Sequence, residues 1–185
     1  MSKIENKNLK ESYDFIVTDC GLRVACYNMP GYSAVHAVFS TNFGSVDRRF
    51  KIDGKRFDIP AGVAHFLEHK MFENEDGDAF EKYAKTGANA NAFTSFDKTC
   101  YIFTATENVD ESLDILLDFV TKPYFTPQTV QKEMGIIGQE IKMYDDSANW
   151  RMLFGLLEGL YVNHPVRDDI AGTVESIAKI DDKLL

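Results

Sequence analysis

Cysteine is scarce: Cys20, Cys26 and Cys100 are the only three among 185 residues. An odd number without metal-ligand spacing excludes a disulfide framework and a thiolate zinc module. Reduced thiols in a cytoplasmic protein are the simplest account. Cys26 and Cys100, set in apolar strand patterns, are expected in the core. Long hydrophobic runs are missing too. No stretch approaches the length of a membrane span, and the polar start MSKIENKNLKES does not read as a signal peptide, so no membrane partner is expected. Cations are outnumbered, with 20 Lys and Arg against 29 Asp and Glu and a net charge of −9. That balance argues against a nucleic-acid partner. The sequence shows no internal repeat, low-complexity tract or long linker.

What is present is ordinary in amount and specific in arrangement. A hydrophobic fraction of 44% and a charged fraction of 26% suit a soluble globular chain, long enough for one domain with a core. Only four histidines occur, yet two fall in His65-Phe66-Leu67-Glu68-His69. On a helix, His65 and His69 lie about 40° apart around the axis, and Glu68 about 60° from His65. Two neutral imidazoles and a nearby carboxylate are what a zinc hydrolase needs to hold a metal and activate its water. H-x-x-E-H is the inverted form of the commoner H-E-x-x-H motif. At this composition a chance occurrence has a probability of roughly half a percent; the plain alternative is a helix with two partly exposed histidines.

The pattern predicts strands over 13–19, 22–28, 33–42, 90–95 and 99–106, and helices over 60–72, 78–86, 109–122, 127–144 and 148–161. Residues 1–12 are polar and expected to be frayed or disordered, with the domain running over 13–185. Pro60 suits the first turn of the motif helix. Val63, Leu67 and Met71 form its apolar stripe, opposite the histidines and Glu68. Similar stripes are Leu113, Leu116, Leu117 and Val120; Val130, Met134, Ile137, Ile141 and Tyr144; and Trp150, Leu153, Phe154, Leu157 and Leu160. Strands and helices mix without strict alternation, which predicts an α+β fold with helices packed on a mainly antiparallel sheet. Asp181 resembles an N-cap just before Leu185, so the chain reads as cut inside an element.

A catalytic zinc takes three protein ligands and a water, and the motif supplies two. His36, His164, Cys100 and many carboxylates are open candidates for the third. Among them Glu133 and Glu140 stand seven residues apart at the edge of one helical stripe, near the interior but not in its centre. A lone strand histidine such as His36 is more often a packed or exposed side chain than a ligand.

Several ordered segments then fit one pattern. Asp19-Cys20-Gly21-Leu22-Arg23-Val24 reads D-x-G-L-R-V, and Gly44-Ser45-Val46-Asp47 a G-S turn with a displaced acid. Residues 62–72 read G-V-A-H-F-L-E-H-K-M-F. Asn91-Ala92-Phe93-Thr94, Thr99-x-Tyr101, E-M-G-I-I-G-Q-E from Glu133 to Glu140, Asn163-His164-Pro165 and Gly172 follow. In this order they resemble the N-terminal catalytic domain of the insulinase/pitrilysin zinc metallopeptidases, of the bacterial processing-peptidase type, over nearly the whole chain.

The resemblance implies a LuxS-like metallopeptidase half-domain, an α+β fold with helices on a mainly antiparallel mixed sheet, here lacking its last strand. His65, His69 and Glu140 would bind Zn2+. Glu68 would be the general base, and Glu133 would orient the site from behind the ligands. Asn91, Ala92 and Phe93 would lie on an edge strand that pairs with an extended peptide substrate. His164 would be structural, and Lys70 a mild variation outside the metal-facing side. The spacing from His69 to Glu140, slightly short for the family, implies a trimmed loop. A homologous second half or partner subunit would close the chamber. The expected function is therefore a zinc-dependent endopeptidase domain. The alternatives are a metal-binding fragment that needs its second half, and a non-catalytic peptide-binding homologue.

Overall fold

A computed structural model describes residues 2–185, and their contacts group the chain into two units divided between Ser33 and Ala34. The first unit is a three-stranded antiparallel sheet, β1 (Ser2–Asn6), β2 (Glu11–Val17) and β3 (Arg23–Cys26), in the order β1-β2-β3. Gly21, with φ at +87°, turns the chain between β2 and β3, its amide donating to Thr18 O at 2.9 Å. Asn6 Oδ1 turns the chain after β1 by accepting from the Asn8 and Leu9 amides. Met1 lies outside the described residues, and within the segment 1–12, expected to be frayed, Ser2–Asn6 form the paired strand β1. Its five side chains are all exposed, so the pairing rests on backbone hydrogen bonds and leaves no apolar pattern to read. Cys26 is also exposed, at the end of edge strand β3, against the expectation of a core thiol.

In the second unit the organising sheet has the order β4-β10-β9, antiparallel throughout, with β4 at Val35–Thr41, β9 at Asn89–Thr94 and β10 at Thr99–Ala105. The central strand buries Cys100, Tyr101, Phe103 and Ala105. β9 alternates exposed and half-buried residues and pairs on one side only among the described strands. The hairpin of β5 (Arg49–Ile52) and β6 (Lys55–Asp58) turns on Asp53-Gly54, both at positive φ. Asp-Gly between strands is the chemistry of a two-residue turn, a signal that apolar periodicity passes over. A minimal pair, β7 (Glu73–Asn74) and β8 (Gly77–Asp78), follows α1.

The helices are α1 (Val63–Met71), α2 (Ala79–Thr86), α3 (Val109–Thr121), α4 (Pro127–Asp145), α5 (Ala148–Leu160) and α6 (Val174–Ile177). Asp78 caps α2 and Gly87 ends it in the left-handed region. Thr126 caps α4, with Pro127 in the first turn. α1 begins at Val63 rather than at Pro60, because Gly62 adopts φ +92° and breaks the helical path. A Cβ on Gly62 would stand 2.4 Å from Ala171 O, and one on Gly172 would stand 2.6 Å from Ala61 O. The two glycines thus let the 171–172 backbone press against the start of α1, where Ser176 Oγ also donates to Ala61 O at 2.9 Å.

Two apolar clusters form the core, and α1 links them. Val63 and Phe66 belong to one with Val130, Ile137 and Ile177; Met71 packs on the other, around Phe72, Tyr101 and Phe119. The predicted stripe on α1 is corrected accordingly. Phe66 and Lys70 are wholly buried, Leu67 and Met71 only half-buried, and the opposite side carrying His65 and Glu68 is buried too. α4, β9 and β10 enclose the helix, so it has no solvent face for a stripe to oppose. On α3 the inward residues are Ser112, Leu116 and Phe119, while Leu113 and Leu117 are exposed. On α5 only Phe154 is buried, with Leu153 and Leu160 exposed. The α4 stripe lies as its periodicity predicts, with Val130, Ile137 and Ile141 buried. Among the described residues no helix is long and apolar enough to cross a membrane.

Candidate metal centre

α1 and α4 pack against each other, and the contact brings three potential ligands together. His65 and His69, one turn apart, place their rings 4.6 Å apart. Glu140 reaches across from α4, with Oε1 3.7 Å from His65 Nε2 and Oε2 3.4 Å from His69 Nε2. One donor atom from each lies within 4.8 Å of the others. Ligands about 2.1 Å from a tetrahedral ion stand about 3.4 Å apart, so this set fits a zinc ion with one position left for water.

The protonation chemistry suits such a set in part already. Burial, then the adjacent His69, push His65 down to about 4, against the pull of Glu140 and Glu133. Its ring is therefore neutral at neutral pH, with Nε2 facing the cluster and Nδ1 buried without a hydrogen-bond partner. For His69 burial alone lowers the pKa, but the hydrogen bond to Glu133 and the charges of Glu68, Glu133 and Glu140 together raise it. Glu133 Oε1 sits 2.8 Å from His69 Nδ1, which directs Nε2 toward Glu140. A metal at the cluster would displace a proton from His69.

Glu68, the residue before His69 on α1, borders the same place. Burial raises its pKa, partly offset by Thr94 of β9, whose hydroxyl donates to Glu68 Oε2 at 2.7 Å. A cavity of about 190 Å³ opens beside these groups, lined by His65, Glu68, Ala92, Phe93, Tyr144 and Trp150 among others. A second, of about 550 Å³, runs from Glu68 and His69 past Asn91 and Ala92 to Phe72 and Phe80. Ala92 borders both cavities, with Asn91 on the second and Phe93 on the first.

The remaining candidates stand elsewhere. His36 hydrogen-bonds Thr104 across β4 and β10 at 2.9 Å. His164 accepts from the Val166 amide, capping the short turn at Pro165–Arg167. Cys100 is buried, its thiol 3.4 Å from Ser40 Oγ. Sequence reasoning missed Thr94 as the partner of Glu68, and Trp150 and Asp169 as neighbours of the centre. Thr94 carries a signal, its place in the N-A-F-T segment; Trp150 marks only a helical stripe, and Asp169 carries none.

Fold and site together define a class: an α+β domain whose helix pair presents two histidines and a carboxylate beside a buried glutamate. The sequence pattern of Insulinase (Peptidase family M16) matches residues 53–174, and the chain belongs to that family. It is 52% identical over 184 residues to the uncharacterized zinc protease YmfH of Bacillus subtilis, covering 98% of this chain and 43% of that protein. The crystal structure of a putative M16-like peptidase from Alicyclobacillus acidocaldarius matches with a TM-score of 0.91 and 41% identity, over 99% of this chain and 43% of that one. An M16 inactive domain from Pseudomonas fluorescens, 18% identical, shares the fold alone, with a TM-score of 0.77 over 93% of this chain and 41% of that one. The chain spans less than half the length of these relatives.

Proposed function

We propose that this chain is the zinc-binding, catalytic half of an endopeptidase that cleaves extended peptides. The observation that carries the reading is the convergence of His65, His69 and Glu140 with Glu68 beside them. Bound zinc would supply a Lewis acid and bring the pKa of its water toward about 7. Glu133 holds His69 in the tautomer that offers Nε2. Thr94 fixes Glu68 Oε2, leaving Oε1 to take the proton of the attacking water and pass it to the leaving amine. Burial favours that role, since a carboxyl that protonates more readily than an exposed one is the better proton carrier. The free edge of β9 receives the peptide backbone by strand addition at Asn91, Ala92 and Phe93.

A second reading is favoured by the 43% of YmfH that the chain spans: a metal-binding half that cleaves nothing without a homologous second half or partner subunit. Three unpaired thiols support a reducing, cytoplasmic compartment. Zinc analysis and a quenched-peptide assay, run with and without a second half, test both readings. Glu68→Gln is expected to keep zinc and abolish hydrolysis, and His65→Ala to lose zinc. Zinc lost by Glu68→Gln, or kept in full by His65→Ala, would refute the role assignments.

A further inference from the structure

Glu140 has a partner of its own. Tyr144, one turn further along α4, donates its hydroxyl to Glu140 Oε1 at 2.5 Å. The Tyr144 ring stacks on Trp150 of α5, with centroids 4.6 Å apart and planes 17° apart. The Trp150 indole N–H donates in turn to Asp169 Oδ2, and Asp169 Oδ1 accepts from the Ala171 amide at 2.9 Å. The chain of contacts thus runs from a candidate ligand through α4 and α5 to the loop that presses on the start of α1.

We propose that Tyr144 is a positioning residue of the metal centre: its hydroxyl fixes the carboxylate of Glu140, and the stack on Trp150, anchored by Asp169, fixes the tyrosine. The inference rests on the zinc reading above. Of the three candidate ligands Glu140 has the longest flexible side chain. His69 is held by Glu133 and His65 by burial, whereas Tyr144 is the one hydrogen-bond partner of the Glu140 side chain among the described residues outside the cluster. A neutral phenol suits the task, because it donates to a carboxylate without adding a competing cation. It occupies Oε1 and leaves Oε2 toward His69 Nε2 at 3.4 Å. Ordering a ligand before the metal arrives raises affinity by lowering the entropy lost on binding. Tyr144 also lines the 190 Å³ cavity, with its hydroxyl committed to Glu140.

Tyr144→Phe removes the hydroxyl and keeps the ring and its stack. Zinc affinity of the full chain, measured by chelator competition, is expected to weaken 10- to 100-fold, about what loss of an outer partner costs a metal site. The visible spectrum of the cobalt-loaded chain should change with it. The metal-free melting temperature should stay within about 6 °C of wild type, since a half-buried hydrogen bond to a carboxylate contributes about 1.5 kcal/mol. Trp150→Leu, which keeps the hydroxyl but removes the stack, should weaken zinc in the same direction by less. Wild-type zinc affinity and an unchanged cobalt spectrum in Tyr144→Phe would overturn the proposal. So would slower peptide cleavage at unaltered metal affinity, which would assign the hydroxyl to substrate. If the wild-type chain itself fails to bind zinc, the zinc reading falls and this inference with it, a result distinct from either.

Discussion

Lys70 offers a test of what a buried charge does in this fold. Its side chain has no exposed surface, and Nζ donates to Glu73 Oε2 at 2.6 Å. Glu73 keeps 26% of its side-chain surface and lies 3.5 Å from Lys132. Partial burial alone would raise the Glu73 pKa, but Lys70, and after it Lys132, override it and hold the carboxyl below the usual range. Glu73→Gln removes the counter-charge and strands the ammonium. Breaking a fully buried pair costs about 3–5 kcal/mol. Because Glu73 is a quarter exposed and water already screens it, the expected cost is about 2–3 kcal/mol. In a domain of this size that lowers the melting temperature by roughly 4–12 °C. Lys70→Met keeps the side-chain length and removes the charge, so the desolvation penalty goes with the ion pair. It is expected within about 1 kcal/mol of wild type, or more stable. Urea unfolding of the metal-free chain, followed by circular dichroism, measures both. If Lys70→Met costs as much as Glu73→Gln, the ammonium stabilises the fold in its own right and the counter-charge argument is wrong.

Gly62→Ala should cost more than about 3 kcal/mol, because it adds a Cβ at positive φ and 2.4 Å from the Ala171 carbonyl oxygen; thermal unfolding within about 2 °C of wild type would contradict the close approach. A pH effect follows from His65. Its folded pKa of about 4 lies below the ordinary 6.5, so the unfolded chain binds more protons between those values. The contribution of His65 is fully present above about pH 6.5 and is lost as pH falls toward about 4. At about 1.4 kcal/mol per pH unit it amounts to about 3 kcal/mol. His69 and Glu68, both with raised pKa, act in the opposite sense, so the measurement is the stability of wild type minus that of His65→Leu against pH, without metal. A difference that is flat from pH 7 to 4 would refute the burial of a neutral ring.

Local chemistry was the readable part of this sequence. The helices read over 78–86 and 127–144 lie within a residue of α2 and α4, and the seven-residue step from Glu133 to Glu140 places both carboxylates on one side of α4. That His65, His69 and Glu140 meet follows from two helices each carrying polar groups at the border of an apolar face. What was not readable depends on enclosure. Periodicity assumes one solvent side, and α1 has none, so Phe66 and Lys70 went unnoticed as the deepest residues. Leu113 and Leu117 look like core on the same rule, yet α3 buries Ser112 against Thr86 of α2, and Leu116 and Phe119 in the cluster around Tyr101 and Phe103. Asp53-Gly54 is a legible turn signal, and its flanking strands are only four residues each, Arg49–Ile52 and Lys55–Asp58, too short for apolar periodicity to single out. The contacts of Tyr144, Trp150 and Asp169 join three elements, and no spacing along the chain encodes them.

The press of residues 171–176 on the start of α1 has a consequence for how the centre forms in time. Ser176 reaches back 115 positions to Ala61, and Arg48 pairs with Asp168 across 120. Glu133 and His69 are 64 apart. Hairpins and helices close loops of a few residues and form within microseconds, whereas contacts this distant in sequence are slow. Nothing local holds His65, Glu140 and the 171–176 segment together, so their meeting depends on the closure of these long loops. A metal at His65, His69 and Glu140 would therefore find its ligands only where these long loops are closed, unlike the small zinc modules whose ligands lie close together in sequence.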